Sequence, residues 1–218
     1  MGSTRRPSAL EHPNVVVKHL NAWCGLLAAH FRCIGHRQTS VVAPPSAPLA
    51  TLETRMTHPS DILNRLTGCW IGSGLGSYPG IEPFRYAERL LISHEADWNM
   101  LHVLQRTWLE KDGSAGRALH LESGIVHARD DGTLVYSCGQ DNGRTEVMVG
   151  TITLEGGGMR IDWVTTEHAN DSRLLRMGRT WMIDGASLRY EAHLSTVRTP
   201  EYRKHLEANL QRSAAVVA

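Results

Sequence analysis

The chain from residue 60 onward is predicted to be an all-β domain, an antiparallel barrel entered through a short N-terminal helix. Three observations predict it. Short β-rich runs recur along residues 68–212, compact turn signals separate them with no helical pattern between, and the first run, Gly68 to Tyr78, is bare along one face.

Residues 1–59 read as an extension or linker, and residues 60–218 as the domain. The leader carries five arginines, few acids and the run Val41-Val42-Ala43-Pro44-Pro45-Ser46-Ala47-Pro48, a composition suited to poor order. Three readings of it stay open: an organellar transit segment, a marginal amphipathic helix at residues 20–31, and translation from Met56. Next, Pro59-Ser60 before Asp61-Ile62-Leu63-Asn64-Arg65-Leu66 reads as a capped short helix that Gly68 can close, placed to act as a lid or plug.

The first strand then begins. In Gly68-Cys69-Trp70-Ile71-Gly72-Ser73-Gly74-Leu75-Gly76-Ser77-Tyr78, the even-numbered positions share one face because strand side chains alternate with period two. Between Trp70 and Tyr78 that face holds only glycine. Such a row predicts a close backbone approach, strong bending or a ligand against the strand, all of which suit a barrel wall enclosing a pocket better than an open sandwich. Further strands are predicted at residues 145–154, 159–166, 179–183 and 188–197. Turns are expected at 110–116, 130–132, 141–143, 156–158 and 184–185.

Composition narrows the function. Six basic and two acidic side chains lie at or before Arg55, which leaves the domain net acidic, and no basic run is interleaved with aromatics, so nucleic acid is not an expected partner. A phosphate-cradling loop is disfavoured too, since Pro79, Pro83, Phe84 and Tyr86 follow the glycines where that motif needs a helix. Cys24, Cys33, Cys69 and Cys138 are read as reduced thiols; Cys24 with Cys33-x-x-His36 lacks the second half of a zinc site. The longest apolar stretch, residues 20–34, is interrupted by Asn21, His30 and Arg32, so no membrane partner is expected. The expected location is cytoplasmic.

Gly68-x-Trp70-x-Gly72-x-Gly74-x-Gly76-x-Tyr78-Pro79, followed by Ile81-x-Pro83-Phe84-x-Tyr86-x-Glu88, resembles the signature of the nitrobindins, small haem-binding β-barrels. Leu119-His120-x-Glu122-Ser123-Gly124 resembles the family's second block. Pro200 with His205-Leu206-x-Ala208-x-Leu210 resembles its last, and the likeness spans nearly all of residues 60–212. The resemblance implies a ten-stranded antiparallel barrel, shaped like fatty-acid-binding proteins, with one b-type haem per chain near an open end. It implies His205 as the axial iron ligand, Leu119 and His120 on the other haem face, and Arg179 lining the haem site. Leu119 stands where some members have methionine.

The activity that the resemblance implies is reversible NO binding and isomerisation of peroxynitrite to nitrate at ferric haem, with no catalytic residue beyond the iron and with room for a homodimer. The alternative on the same barrel is a haem-free carrier of a fatty acid or other small apolar ligand. Spacing alone would leave His205 a solvated residue among Arg203, Lys204 and Glu207, and His120 a wall residue beside Glu122. The segment holding His205 carries both strand alternation and helix propensity, and the last barrel strand is the expectation. Trp70 and Tyr78 are expected to pack rather than react.

Overall fold

The computed structural model describes residues 59–111 and 113–214; the expectations for the leader, including poor order, Cys24, Cys33 and a helix at 20–31, lie outside them. Among the described residues the elements are one α-helix, α1 (Pro59–Leu66), a single 3-10 turn (Ala96–Trp98) and ten strands: β1 (Gly68–Tyr78), β2 (Ile81–Glu95), β3 (Met100–Lys111), β4 (Ser114–Ala128), β5 (Leu134–Gln140), β6 (Thr145–Glu155), β7 (Gly158–Ala169), β8 (Leu174–Asp184), β9 (Ser187–Thr196) and β10 (Thr199–Arg212). Every strand pairs antiparallel with its chain neighbour, and β1 pairs with β10 to close the barrel. Closure leaves no sheet edge for another chain to extend.

Meander topology puts alternate turns at opposite ends. The turns after β2, β4, β6 and β8 share one end with α1, and those after β1, β3, β5, β7 and β9 share the other. The helix is a plug. Leu63 and Leu66 are fully buried, the Trp70 indole N–H donates to the Leu66 carbonyl at 2.9 Å, and Arg65 donates to the Gly157 carbonyl in the turn after β6. Arg212, at the end of β10, donates to the Arg65 carbonyl at 2.7 Å and lies over the Trp70 ring. Above the plug the interior is apolar: Ile92, Leu101, Val103, Leu134, Met148, Ile161 and Leu188 are almost wholly enclosed, beside an edge-on cluster of Tyr136, Trp163 and Trp181.

The glycine face of β1 does point inward, but no ligand is needed to explain it. A Cβ at Gly72 would overlap the Asn209 carbonyl oxygen of β10; at Gly74 it would strike the Tyr86 ring, and at Gly76 the Phe84 ring. The strand is bare because two aromatic rings of β2 and the backbone of β10 lie directly on it. Gly74→Ala is expected to cost about 2 kcal/mol of stability in urea unfolding, since the added methyl meets a ring and the Glu207 backbone carbonyl, neither of which can retreat cheaply.

Candidate functional site

Along each strand the inward residues change character toward the end away from α1. On β2 the order is Ile92, Leu90, then Glu88 and Tyr86; on β4 it is Val126, Gly124, then Glu122 and His120; on β8 it is Ile183, Trp181, then Arg179 and Met177. These positions share strand parity, so the inner wall carries a ring of buried polar side chains above the apolar core. Glu88, Thr107, Glu122, Gln140, Glu146 and Arg179 belong to it.

Most of the ring is one network. Arg179 donates through both terminal nitrogens to the two oxygens of Glu122, each at 2.6 Å, and Glu122 also accepts from the Tyr136 hydroxyl at 2.8 Å and the Gln140 amide at 2.9 Å. Gln140 also donates to Glu146, which pairs with Arg144 at 2.8 Å. Burial by itself would raise the Glu122 carboxyl, but the guanidinium beside it and the hydroxyl that donates to it bring it down to about 2. Burial equally pushes the Cys138 thiol up to about 12, so that buried residue carries no thiolate at neutral pH.

Above the ring lies a cavity of about 270 Å³. Its apolar wall includes Phe84, Leu119, Met177, Leu194 and Leu206, its floor includes Tyr86, Tyr190, Gln105, Thr107 and Arg179, and His120 and His205 both face it. A second hollow outside the wall shares Phe84, His205 and Leu206 with the first, so His205 stands at their junction.

The placement of His205 depends on an irregularity in β10. Lys204 pairs with His193 and Leu206 with Ala192, which are adjacent residues of β9, so one residue of β10 is extra. That residue is His205. The bulge brings both His205 and Leu206 to the cavity, against the alternation that otherwise governs the strand. On the other side the β1 ladder ends at Gly76 opposite Leu206, and the next carbonyl, that of Ser77, accepts a hydrogen bond from the His205 ring at 3.3 Å. A carbonyl only accepts, so Nδ1 carries the proton and Nε2 keeps its lone pair. Desolvation holds the ring pKa below its usual value, despite the Ser77 bond, so the imidazole is neutral at physiological pH. Tyr78 stacks edge-on at 5.3 Å between ring centroids.

His120 sits on β4, where its Nδ1 donates to Asp141 at 3.0 Å. Its pKa is lowered, chiefly by burial, with the nearby Glu122 carboxylate opposing the shift. Leu119 lines the same cavity. Of the residues singled out in the sequence, His205, His120, Leu119 and Arg179 therefore converge, whereas Gly68, Trp70, Gly72 and Gly74 belong to the wall and core. Arg179 lines the floor with its charge already committed to Glu122.

A barrel plugged at one end, with a neutral histidine and a mixed apolar and polar pocket at the other, defines a small-ligand or prosthetic-group-binding barrel. Residues 61–212 match the family model described as "THAP4-like, heme-binding beta-barrel domain", and the chain belongs to this nitrobindin family of haem-binding barrels. Among its relatives, a protein of Mycobacterium ulcerans (strain Agy99) named peroxynitrite isomerase 2 is 32% identical over 161 residues, covering 72% of this chain and 97% of that one. A relative in Arabidopsis thaliana named peroxynitrite isomerase Rv2717c is 31% identical over 152 residues, covering 69% of this chain and 86% of its own. The crystal structure of Rv2717c from M. tuberculosis superposes with a TM-score of 0.64 at 28% identity, over 71% of this chain and 97% of that one. No helix among the described residues is long and apolar enough to cross a membrane.

Proposed function

We propose that this chain is a haem protein of the peroxynitrite isomerase type, holding one b-type haem in the cavity through His205. The observation that carries the reading is the His205 ring: a neutral imidazole on the cavity wall with Nδ1–H tied to the Ser77 carbonyl and its other nitrogen free to donate to a metal. The remaining lining fits the group. Phe84, Leu119, Met177, Leu194 and Leu206 offer apolar surface to a porphyrin, and the Tyr86, Gln105, Tyr190 and Arg179 side chains give the floor polar groups.

When bound, ferric haem would supply an electrophilic iron for NO or for an oxygen of peroxynitrite. The protein's own residues hold and exclude. His205 anchors, the apolar wall keeps water from the reacting atoms, and Leu119 and His120 border the space left to a small ligand. Peroxynitrite and nitrate have the same atoms and charge; an O–O bond breaks, an N–O bond forms, and no net proton or electron is consumed. The chemistry therefore demands no general acid or base. Small molecules are the expected partners and the cytoplasm the expected location.

Stopped-flow mixing with peroxynitrite tests the activity. The hemin-loaded chain is expected to accelerate decay in proportion to its concentration and to raise the nitrate yield, whereas decay no faster than with the haem-free chain would overturn the enzymatic reading.

A further inference from the structure

Glu88 stands apart from the other buried carboxylates of the ring. Glu122 is paired with Arg179 and Glu146 with Arg144, but Glu88, 2% exposed, makes no ion pair among the described residues. Its partners are neutral: Gln105 donates to Oε1 at 2.7 Å and Tyr190 lies 2.7 Å from Oε2. Of the three ring carboxylates, Glu122 and Glu146 each face a guanidinium, that of Arg179 and that of Arg144 at the rim, so an ionised Glu88 is the one left without a cation among the described residues.

The hydroxyls beside it can serve either state. Tyr190 and Tyr86 are 2.9 Å apart, Gln105 donates to the Tyr190 oxygen at 3.2 Å, and the Tyr86 hydroxyl reaches the Glu207 carbonyl at 3.2 Å. When Glu88 is ionised, Tyr190 donates to it and Tyr86 donates to Tyr190. Once the carboxyl is protonated on Oε2, it donates to Tyr190, Tyr190 donates to Tyr86, and Tyr86 donates to the Glu207 carbonyl. Each hydrogen has an acceptor in both arrangements, so a proton on Glu88 reverses the chain without moving a heavy atom. Tyr86, Tyr190 and Gln105 all line the cavity.

We propose that Glu88 is the proton-exchanging positioning residue of the cavity, taking up one proton from solvent when an anion enters, returning it when an anion leaves, and setting through Tyr190 the direction of the Tyr86 hydroxyl. An anion placed over an uncompensated carboxylate is repelled; over a neutral floor it is not. The exchange balances across a turnover that takes in one anion and releases another. Burial raises the Glu88 carboxyl to about 7, against the pull of the Tyr190 and Gln105 donors, with Arg179 lowering it and Glu122 raising it from further off. The other neighbours are Thr107 opposite on β3, Gly72 opposite on β1 and Tyr86 on its own strand, none of them charged. Both tyrosines are held above their usual pKa, chiefly by burial, so they keep their protons. The folded pKa of Glu88 lies above the ordinary carboxylate value of 4.5, so the protonated, stabilising state is full below 4.5 and is lost as pH rises through about 7.

The carboxyl titration is independent of haem, whereas the anion coupling rests on the haem reading, and the test separates them. Carbon NMR of the full chain labelled at glutamate Cδ is expected to show one carboxyl titrating near 7, absent in Glu88→Gln and shifted upward in Tyr190→Phe, which removes a donor but keeps the carboxyl. In the hemin-loaded chain, azide binding is expected to weaken roughly fivefold from about pH 6 to pH 8, and less than twofold in Glu88→Gln. No carboxyl titrating in that range, or the same azide profile in Glu88→Gln, would overturn the proposal. A normal carboxyl titration in a chain that forms no Soret band would support the proton site and overturn the haem reading instead.

Discussion

His205→Ala is expected to abolish stable haem binding: in a hemin titration of the full chain, the Soret band of the wild type should be replaced by the broad absorbance of free hemin, with affinity reduced at least about a hundredfold. The ring contributes little to the fold. It is half-buried on a bulge, holds one hydrogen bond to the Ser77 carbonyl and touches Tyr78 by an edge, so urea unfolding of the haem-free variant should shift by no more than about 1 kcal/mol. Free imidazole added to the variant should restore part of the band by occupying the vacated space. Retention of an unchanged band would show that another side chain holds the iron, and His120 would be the next residue to replace.

The second large effect concerns stability. Arg179→Met is expected to destabilise the barrel by about 3–5 kcal/mol, because it strands Glu122 as a buried charge that has lost its bidentate partner. Adding Glu122→Gln should recover much of the loss, since a neutral amide can accept from Tyr136 without a cation beside it. Acid dependence provides an independent check. The folded pKa of Glu122 lies below its ordinary value of 4.5, so its stabilising contribution is complete above 4.5 and disappears as pH falls through about 2. Wild-type stability should therefore drop steeply over that interval, and the double variant should lack that component. Equal acid sensitivity in both would mean that other carboxylates govern unfolding.

Local rules reached most of the architecture. Period-two alternation assigned the inner face of β1, and the cap and apolar residues of Asp61 to Leu66 marked the plug. What lies against the glycines was not readable, because the occupants of that face, Phe84 and Tyr86, come from another strand whose register depends on a shift near Tyr78. The polar ring was hidden for a different reason. A glutamate in a strand ordinarily faces water, yet Glu88 shares parity with Tyr86 and Leu90, and Glu122 with Val126, so parity against a known core residue is the signal that would have found both. His205 is the converse case: its parity with Glu207 and Asn209 points outward, and only the extra residue in β10 turns it to the cavity. A family block could locate that histidine; alternation could not.

With α1 seated in one end, the barrel is a cul-de-sac. The described plug closes that end to traffic, so arriving reactant and departing product share the opposite end and a slow-leaving guest there blocks its successor. Where departure rather than chemistry sets the pace, a change at Asn142 on the rim should alter residence times before it alters any step inside.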